Sequence, residues 1–215
     1  MMSDDVTGWV AGKIAATGEF EAIKLTPEGF LSITSNRAGN FLLAVLGVKG
    51  VVERSHVEPI FAGKVKPEFV VNVPSKTKWG GSAIHRIHSE NAAFGTLGEV
   101  SKAASGKSVG WYRNKGMEFF INAMIQHKNV RDVSYVYENV FFVGRKVGEP
   151  LTVAVIEAYN MSAEDVRNAR AQLGAFDIVV KSSGYGSVTS NASEAALSMG
   201  AEALAFKELM VRLAR

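Results

Sequence analysis

The chain has 215 residues, 47% of them hydrophobic, with 24 Lys and Arg against 21 Asp and Glu. No apolar run approaches the ~20 residues needed to cross a bilayer. The absence of cysteine excludes disulfides and thiolate metal sites, and the expected location is cytoplasmic.

Net charge is only +3, yet residues 61–146 carry 13 Lys and Arg against 6 Asp and Glu. Such an asymmetry is expected either to form a basic surface that meets phosphates or to be spread over solvated helix faces. Met1-Met-Ser-Asp-Asp5 is acidic and lacks the charge pattern of a secretory signal. Thr26-Pro-Glu-Gly29 is a turn tetrad between Glu21-Ala-Ile-Lys-Leu25 and Phe30-Leu-Ser-Ile33, so a β-hairpin is expected. Residues 41–52 are apolar without a deciding period and fit helix or strand. Phe69-Val-Val-Asn-Val73 reads as a strand stopped by Pro74. Residues 82–93 and 97–104 read as helices interrupted at Gly95. Over residues 114–128, Met117, Phe120, Ile121, Met124 and Ile125 fall on one stripe, predicting an amphipathic helix. Val140-Phe-Phe-Val143 is a further strand, and Gly148-Glu-Pro150 a turn.

The last third is the most legible. Leu151-Thr-Val-Ala-Val-Ile156 has the apolar, β-branched character of a strand buried in a parallel sheet. Ser162 and Asp165 form a capping box, and Gly174 stands where a helix ends. Phe176-Asp-Ile-Val-Val-Lys181 repeats the strand, Asn191 and Glu194 repeat the cap, and Gly200 repeats the stop. Residues 202–206 lead into a final helix through Arg215. No repeat of solenoid period and no low-complexity linker is visible. The simplest partition is one compact domain, or a hairpin-bearing lobe over residues 1–62 joined to an α/β core over residues 63–215.

Three familiar motifs fail on inspection. Ser105-Gly-Lys-Ser108 lacks the earlier glycine of a P-loop, since Ser101 stands there, and it has no preceding strand. His85 and His88 share a helix face, but a metal site would need a carboxylate such as Glu90 or Glu99 as third ligand, and surface histidines are the simpler reading. Gly184-Tyr-Gly-Ser187 misplaces the serine of a nucleophile elbow.

Two loops carry the binding expectation. Pro74-Ser-Lys-Thr-Lys-Trp-Gly-Gly-Ser82 follows a strand and offers Ser75, Lys76, Lys78 and Trp79 for a phosphate or a stacked base. Lys181-Ser-Ser-Gly-Tyr-Gly-Ser-Val-Thr-Ser190 offers Lys181, Ser182, Ser183 and Tyr185 after another strand, and Tyr159-Asn160 joins them. Parallel sheets put working residues beyond strand C-termini, so all are expected along one sheet edge. The bland alternative is a pair of βα loops whose hydroxyls only cap helices.

The order strand, helix, strand, helix, strand, helix over residues 151–215 resembles the C-terminal half of Mrr-type restriction endonucleases, of the PD-(D/E)xK nuclease fold. Val153-Ala-Val-Ile-Glu-Ala-Tyr159 lies where that family's Glu/Gln-x-Lys strand would fall, and Val179-Val-Lys-Ser-Ser183 matches its hydroxyl-ended strand. Lys207-Glu-Leu-Met-Val-Arg-Leu213 matches the closing helix. The resemblance implies Glu157 as a Mg²⁺ ligand if the protein is a nuclease, with Lys181 as a substitute cation, and otherwise no cofactor. Tyr159 replaces the motif lysine, and a phenol with pKa near 10 carries no positive charge at neutral pH. The expected fold is therefore α/β, a mixed sheet with parallel C-terminal units, restriction-endonuclease-like or Rossmann-like. The expected function is a catalytically degenerate, nucleic-acid-associated protein with DNA or RNA as partner and no membrane. The alternatives are a Rossmann-like domain binding a nucleotide or phosphorylated small molecule, and a structural or inhibitory protein partner, in which helices such as 114–128 form the interface or a homo-oligomer contact.

Overall fold

The computed structural model describes residues 4–74 and 76–214, and the protein is mixed α/β. The chain divides into two compact units, Met1–Arg113 and Asn114–Arg215, so the division falls after Arg113 and not near Ala62. Each unit has its own five-stranded sheet. The strands before Lys76 and Lys181 lie in different sheets, which overturns the expectation that these residues share one sheet edge.

The first unit begins with helix α1 (Asp4–Ala15), which the sequence reading had not anticipated. Strands β1 (Ala22–Leu25), β2 (Leu31–Ser35) and β3 (Gly39–Leu46) form an antiparallel meander, with Thr26-Pro-Glu-Gly29 as the expected turn. Short β4 (Val51–Val52), helix α2 (Arg54–Val57), β5 (Phe69–Asn72), short β6 (Lys78–Trp79), α3 (Gly81–His88), β7 (Ala93–Gly95) and α4 (Leu97–Ala104) follow. Sheet order is β1-β2-β3-β5-β7; β5 joins β3 in parallel and β7 joins β5 in parallel. β4 and β6 form a separate parallel pair. The ambiguous residues 41–52 are thus strand, broken by a loop. The helix expected to reach residue 93 stops at His88, because Asn91 turns left-handed (φ 55°) and Ala93-Phe-Gly95 pairs with β5.

The second unit runs α5 (Lys115–Gln126), β8 (Val130–Tyr137), β9 (Val140–Arg145), β10 (Leu151–Ile156), α6 (Ala163–Leu173), β11 (Ile178–Lys181), α7 (Ser190–Ser198), β12 (Glu202–Ala205) and α8 (Phe206–Leu213). Its sheet order, β8-β9-β10-β11-β12, is antiparallel over the first three strands and parallel over the last three. Ser162 and Asp165 cap α6 as expected. The cap of α7 is Thr189 rather than Asn191, since the Thr189 hydroxyl accepts the Ala192 N–H at 3.2 Å.

The two units are copies of one topology, and their registers correspond. Leu43 pairs with Leu31 and Phe69, and Val153 pairs in the same way with Phe141 and Ile178. Glu68, just before β5, accepts the Leu42 N–H on its carboxylate at 2.7 Å; Asp177, just before β11, accepts the Thr152 N–H at 2.6 Å. Asn91 and Gly200 (φ 70°) occupy the same left-handed position after α3 and α7. Glu99 and Glu208 bond the backbone N–H of the residue before α4 and α8. Even the β4–β6 pair has a remnant, a parallel bridge between Met161 and Val188. The second copy is one residue shorter between its third strand and that bridge.

Burial follows the same plan. Val10 and Ile14 of α1 pack on Phe41, Leu43, Phe69 and Val71. Their counterparts Phe120 and Met124 of α5 pack on Phe141, Val153, Ile178 and Val180. The alternate residues Ala154 and Val179 face Val166, Ala169 and Ala196 of α6 and α7. Strands covered on both sides must be apolar throughout, which explains Phe69-Val-Val and Ile178-Val-Val. Among the described residues no helix is long and apolar enough to cross a membrane.

Candidate functional site

In each copy, the third and fourth strands run parallel and end side by side, Leu46 against Asn72 and Ile156 against Lys181. The loops that leave these ends are where a parallel sheet exposes backbone and side chains to a ligand.

In the first unit the two loops are tied together. Asn72 is buried (7% exposed), accepts the Val48 N–H at 2.9 Å and donates to the Val48 carbonyl at 3.1 Å. The Thr77 hydroxyl lies 2.8 Å from the Pro74 carbonyl and 3.2 Å from that of Val48. The Lys78 N–H donates to the Gly50 carbonyl at 2.9 Å. These bonds put Lys49 and Lys76 on adjacent loops, with Lys78 at the start of β6. Lys49 and Lys76 are exposed, and Lys76 sits in the left-handed region at φ 65°. Lys78 is half-buried on β6. Ser75 lies outside the described residues. Trp79 is no base-stacking surface: it is buried, its ring centroid 4.9 Å from that of Phe94.

A cleft of about 550 Å³ opens beside Gly47, walled by Phe30, Val45 and Ile60 and rimmed by Glu28 and His56. The Nδ1 of His56 accepts the Glu53 N–H at 2.9 Å. Among the described residues no Lys or Arg lines this cleft.

In the second unit the corresponding loops also interlock, with different chemistry. The Asn160 side-chain oxygen accepts the Ser187 N–H at 2.9 Å and lies 3.3 Å from its hydroxyl. Gly186 is left-handed at φ 74°, and a Cβ there would stand 1.9 Å from the Tyr159 carbonyl oxygen, so only glycine fits. Met161 and Thr189 close the crossing through backbone bonds of 2.9 and 3.1 Å. Ser182 donates its N–H to the Ile156 carbonyl, and the Ser183 hydroxyl accepts the Tyr185 N–H at 3.1 Å.

Lys181 has a role that the sequence reading missed. It is 1% exposed, and its ammonium donates to the Ser183 carbonyl at 2.7 Å and to the Tyr185 carbonyl. Its charge holds a loop in place and is not presented to a phosphate or a scissile bond. The exposed side chains here are Glu157, Asn160, Ser187 and two tyrosines, Tyr159 (70%) and Tyr185 (78%).

Register makes these two surfaces equivalents. Asn72 corresponds to Lys181, Lys76 to Tyr185 and Lys78 to Ser187, and Lys49 corresponds to Tyr159 when counted from the end of the third strand. The expected ligand-binding residues are therefore brought together by fold equivalence, in two copies of one place, and not along a shared sheet edge.

The histidine pair divides. His85 is exposed, while His88 packs against Phe94 with ring centroids 5.6 Å apart, and burial lowers its pKa to about 3. The Glu90 carboxylate is held by Lys66 and Arg86, whose hydrogen bonds keep its pKa below the usual carboxylate value. Among the described residues no three His, Asp or Glu side chains are grouped to hold a metal ion. Comparison with protein families, with curated proteins and with solved structures returns no match.

Proposed function

We propose that the protein binds nucleic acid through the strand-end loops of its first unit and does not cleave it. The observation that carries this reading is the placement of exposed Lys49 and Lys76, with Lys78 beside them in sequence, on segments tied together by Asn72 and Thr77. Lysines on an ordered backbone neutralise phosphates without paying the ordering entropy of a free loop. The resemblance to PD-(D/E)xK nucleases supports the same partner, and the strand–helix order on which it rests occurs in both units.

The same equivalence supports the loss of cleavage. Phosphodiester hydrolysis in that fold needs carboxylates for Mg²⁺ and a nearby cation. The second unit has Glu157 but Tyr159 two residues on; the first has Lys49 but Gly47 two residues before it. Each copy lacks one half of the Glu-x-Lys pattern. Lys181, the substitute cation, is engaged by carbonyls. A phosphorylated small molecule is the weaker reading, because the cleft beside Gly47 carries Glu28 on its rim, which repels a phosphate.

Fluorescence anisotropy with labelled DNA and RNA across a salt series tests binding. Changing Lys49, Lys76 and Lys78 to Gln should weaken affinity and lower the salt slope by about one unit per lost phosphate contact. No binding at low ionic strength refutes the reading. Plasmid and single-stranded substrates incubated with Mg²⁺ or Mn²⁺ should stay intact; cleavage that vanishes in Glu157→Ala would restore nuclease activity.

A further inference from the structure

Duplication frees one copy of a surface to change its chemistry. At the three positions where the first unit presents Lys49, Lys76 and Lys78, the second presents Tyr159, Tyr185 and Ser187. We infer that the second unit's strand-end surface binds unpaired nucleobases by stacking on Tyr159 and Tyr185, which makes single-stranded nucleic acid the preferred ligand. This inference rests on the nucleic-acid reading above and specifies its substrate class.

Three features carry it. Both tyrosines are largely exposed, at 70% and 78%, on residues where a folded chain gains little from an aromatic ring. Neither hydroxyl has a hydrogen-bond partner among the described residues, so the rings are not there to anchor the loop.

The loops beneath them are fixed. Asn160 bonds Ser187, Gly186 lies against the Tyr159 carbonyl, and the buried Lys181 ammonium grips the Ser183 and Tyr185 carbonyls. A tied backbone beneath the rings reduces the entropy lost when a base stacks on them.

The charge pattern points the same way. The only lysine in this pair of loops is buried and engaged, so the surface offers little to a phosphate. The Asn160 side-chain oxygen and the Ser183 and Ser187 hydroxyls are already bonded to one another or to backbone, and the exposed Glu157 carboxylate disfavours a phosphate, so the two π-faces are the largest recognition surface offered to a base. Stacking needs a base lifted out of a duplex, because paired bases present no free face.

The experiment measures affinity of the full chain for labelled oligo(dT) and for a duplex of equal length at low salt. Wild type should prefer the single strand. Tyr159→Ala and Tyr185→Ala should each weaken single-strand binding by about 5- to 150-fold, the range for loss of one stacked base. Neither should alter duplex affinity, and Tyr159→Phe and Tyr185→Phe should retain binding because the ring is kept. Both residues are exposed, and unchanged far-UV circular dichroism of the alanine variants confirms that the fold persists. Equal affinity for both ligands, or alanine variants that bind oligo(dT) like wild type, overturns the inference while leaving the lysine-loop reading intact. Absence of binding to either ligand overturns both.

Discussion

Lys181→Met tests whether the buried ammonium is a loop anchor. Methionine matches the aliphatic stem and fills the same space, so packing changes little. What is lost is a pair of hydrogen bonds from a charged donor to Ser183 and Tyr185. Each such bond contributes about 1.5–3 kcal/mol, an upper bound of roughly 3–6 kcal/mol for two. Two effects reduce it. Tyr185 is exposed and Ser183 half-buried, so their carbonyls recover water, and the substitution relieves the cost of burying a charge. A net loss of about 2 kcal/mol is expected. With an m-value of about 2 kcal/mol per M in urea, the unfolding midpoint of the second unit should fall by about 1 M. Hydrogen exchange should quicken over residues 182–188 before it does in β10. An unchanged or raised midpoint would refute the anchor, because a buried ammonium that stabilises nothing is better removed.

Gly186→Ala should destabilise the second unit by more than about 2 kcal/mol, since alanine is strained at φ 74° and its Cβ collides with the Tyr159 carbonyl; thermal melting without a lowered transition would contradict the loop geometry. His88 sets a pH dependence. Its folded pKa of about 3 lies below the ordinary histidine value of 6.5, so the unfolded chain binds the extra proton between these values. Stability from this group is complete above about pH 6.5 and is lost as pH falls towards 3. Between pH 7.5 and 5 the loss should be about 2 kcal/mol by linkage, and a His88→Leu variant whose urea midpoint has the same pH slope as wild type would show the attribution to be mistaken.

Legibility in the sequence followed the physics of each signal. Caps and stops are local, so Ser162, Asp165, Gly174 and Gly200 marked α6 and the end of α7 correctly. Ala93 was misread as the end of a helix because a short apolar run has no period of its own, and only pairing with β5 makes Ala93-Phe-Gly95 a strand. The alternating side chains of β8, which is mostly exposed, were likewise passed over. The duplication was invisible for a different reason. The copies share Ala44 and Ala154, Val45 and Val155, Val70 and Val179, and Val71 and Val180, but few other identical pairs. What they keep is burial pattern, turn conformation and capping geometry, each satisfiable by several residues: Asn91 for Gly200, Glu68 for Asp177. Lys181 was mistaken for a ligand-facing cation because a strand-terminal lysine gives no sign in sequence of which way its ammonium is satisfied.

Two copies of one fold in a single chain face a hazard during synthesis, because a strand of one can enter the sheet of the other. The most interchangeable pair is Phe69-Val-Val-Asn72 and Ile178-Val-Val-Lys181, central strands with the same neighbours in each sheet. Their last residues keep them apart. Asn72 completes a two-point bond with the Val48 backbone, whereas Lys181 needs carbonyls from the loop that follows it. Exchange would bury an ammonium where an amide belongs and leave the Val48 N–H without its acceptor. The buried polar residue at the end of each fourth strand thus acts as an address, directing that strand to its own half of the chain.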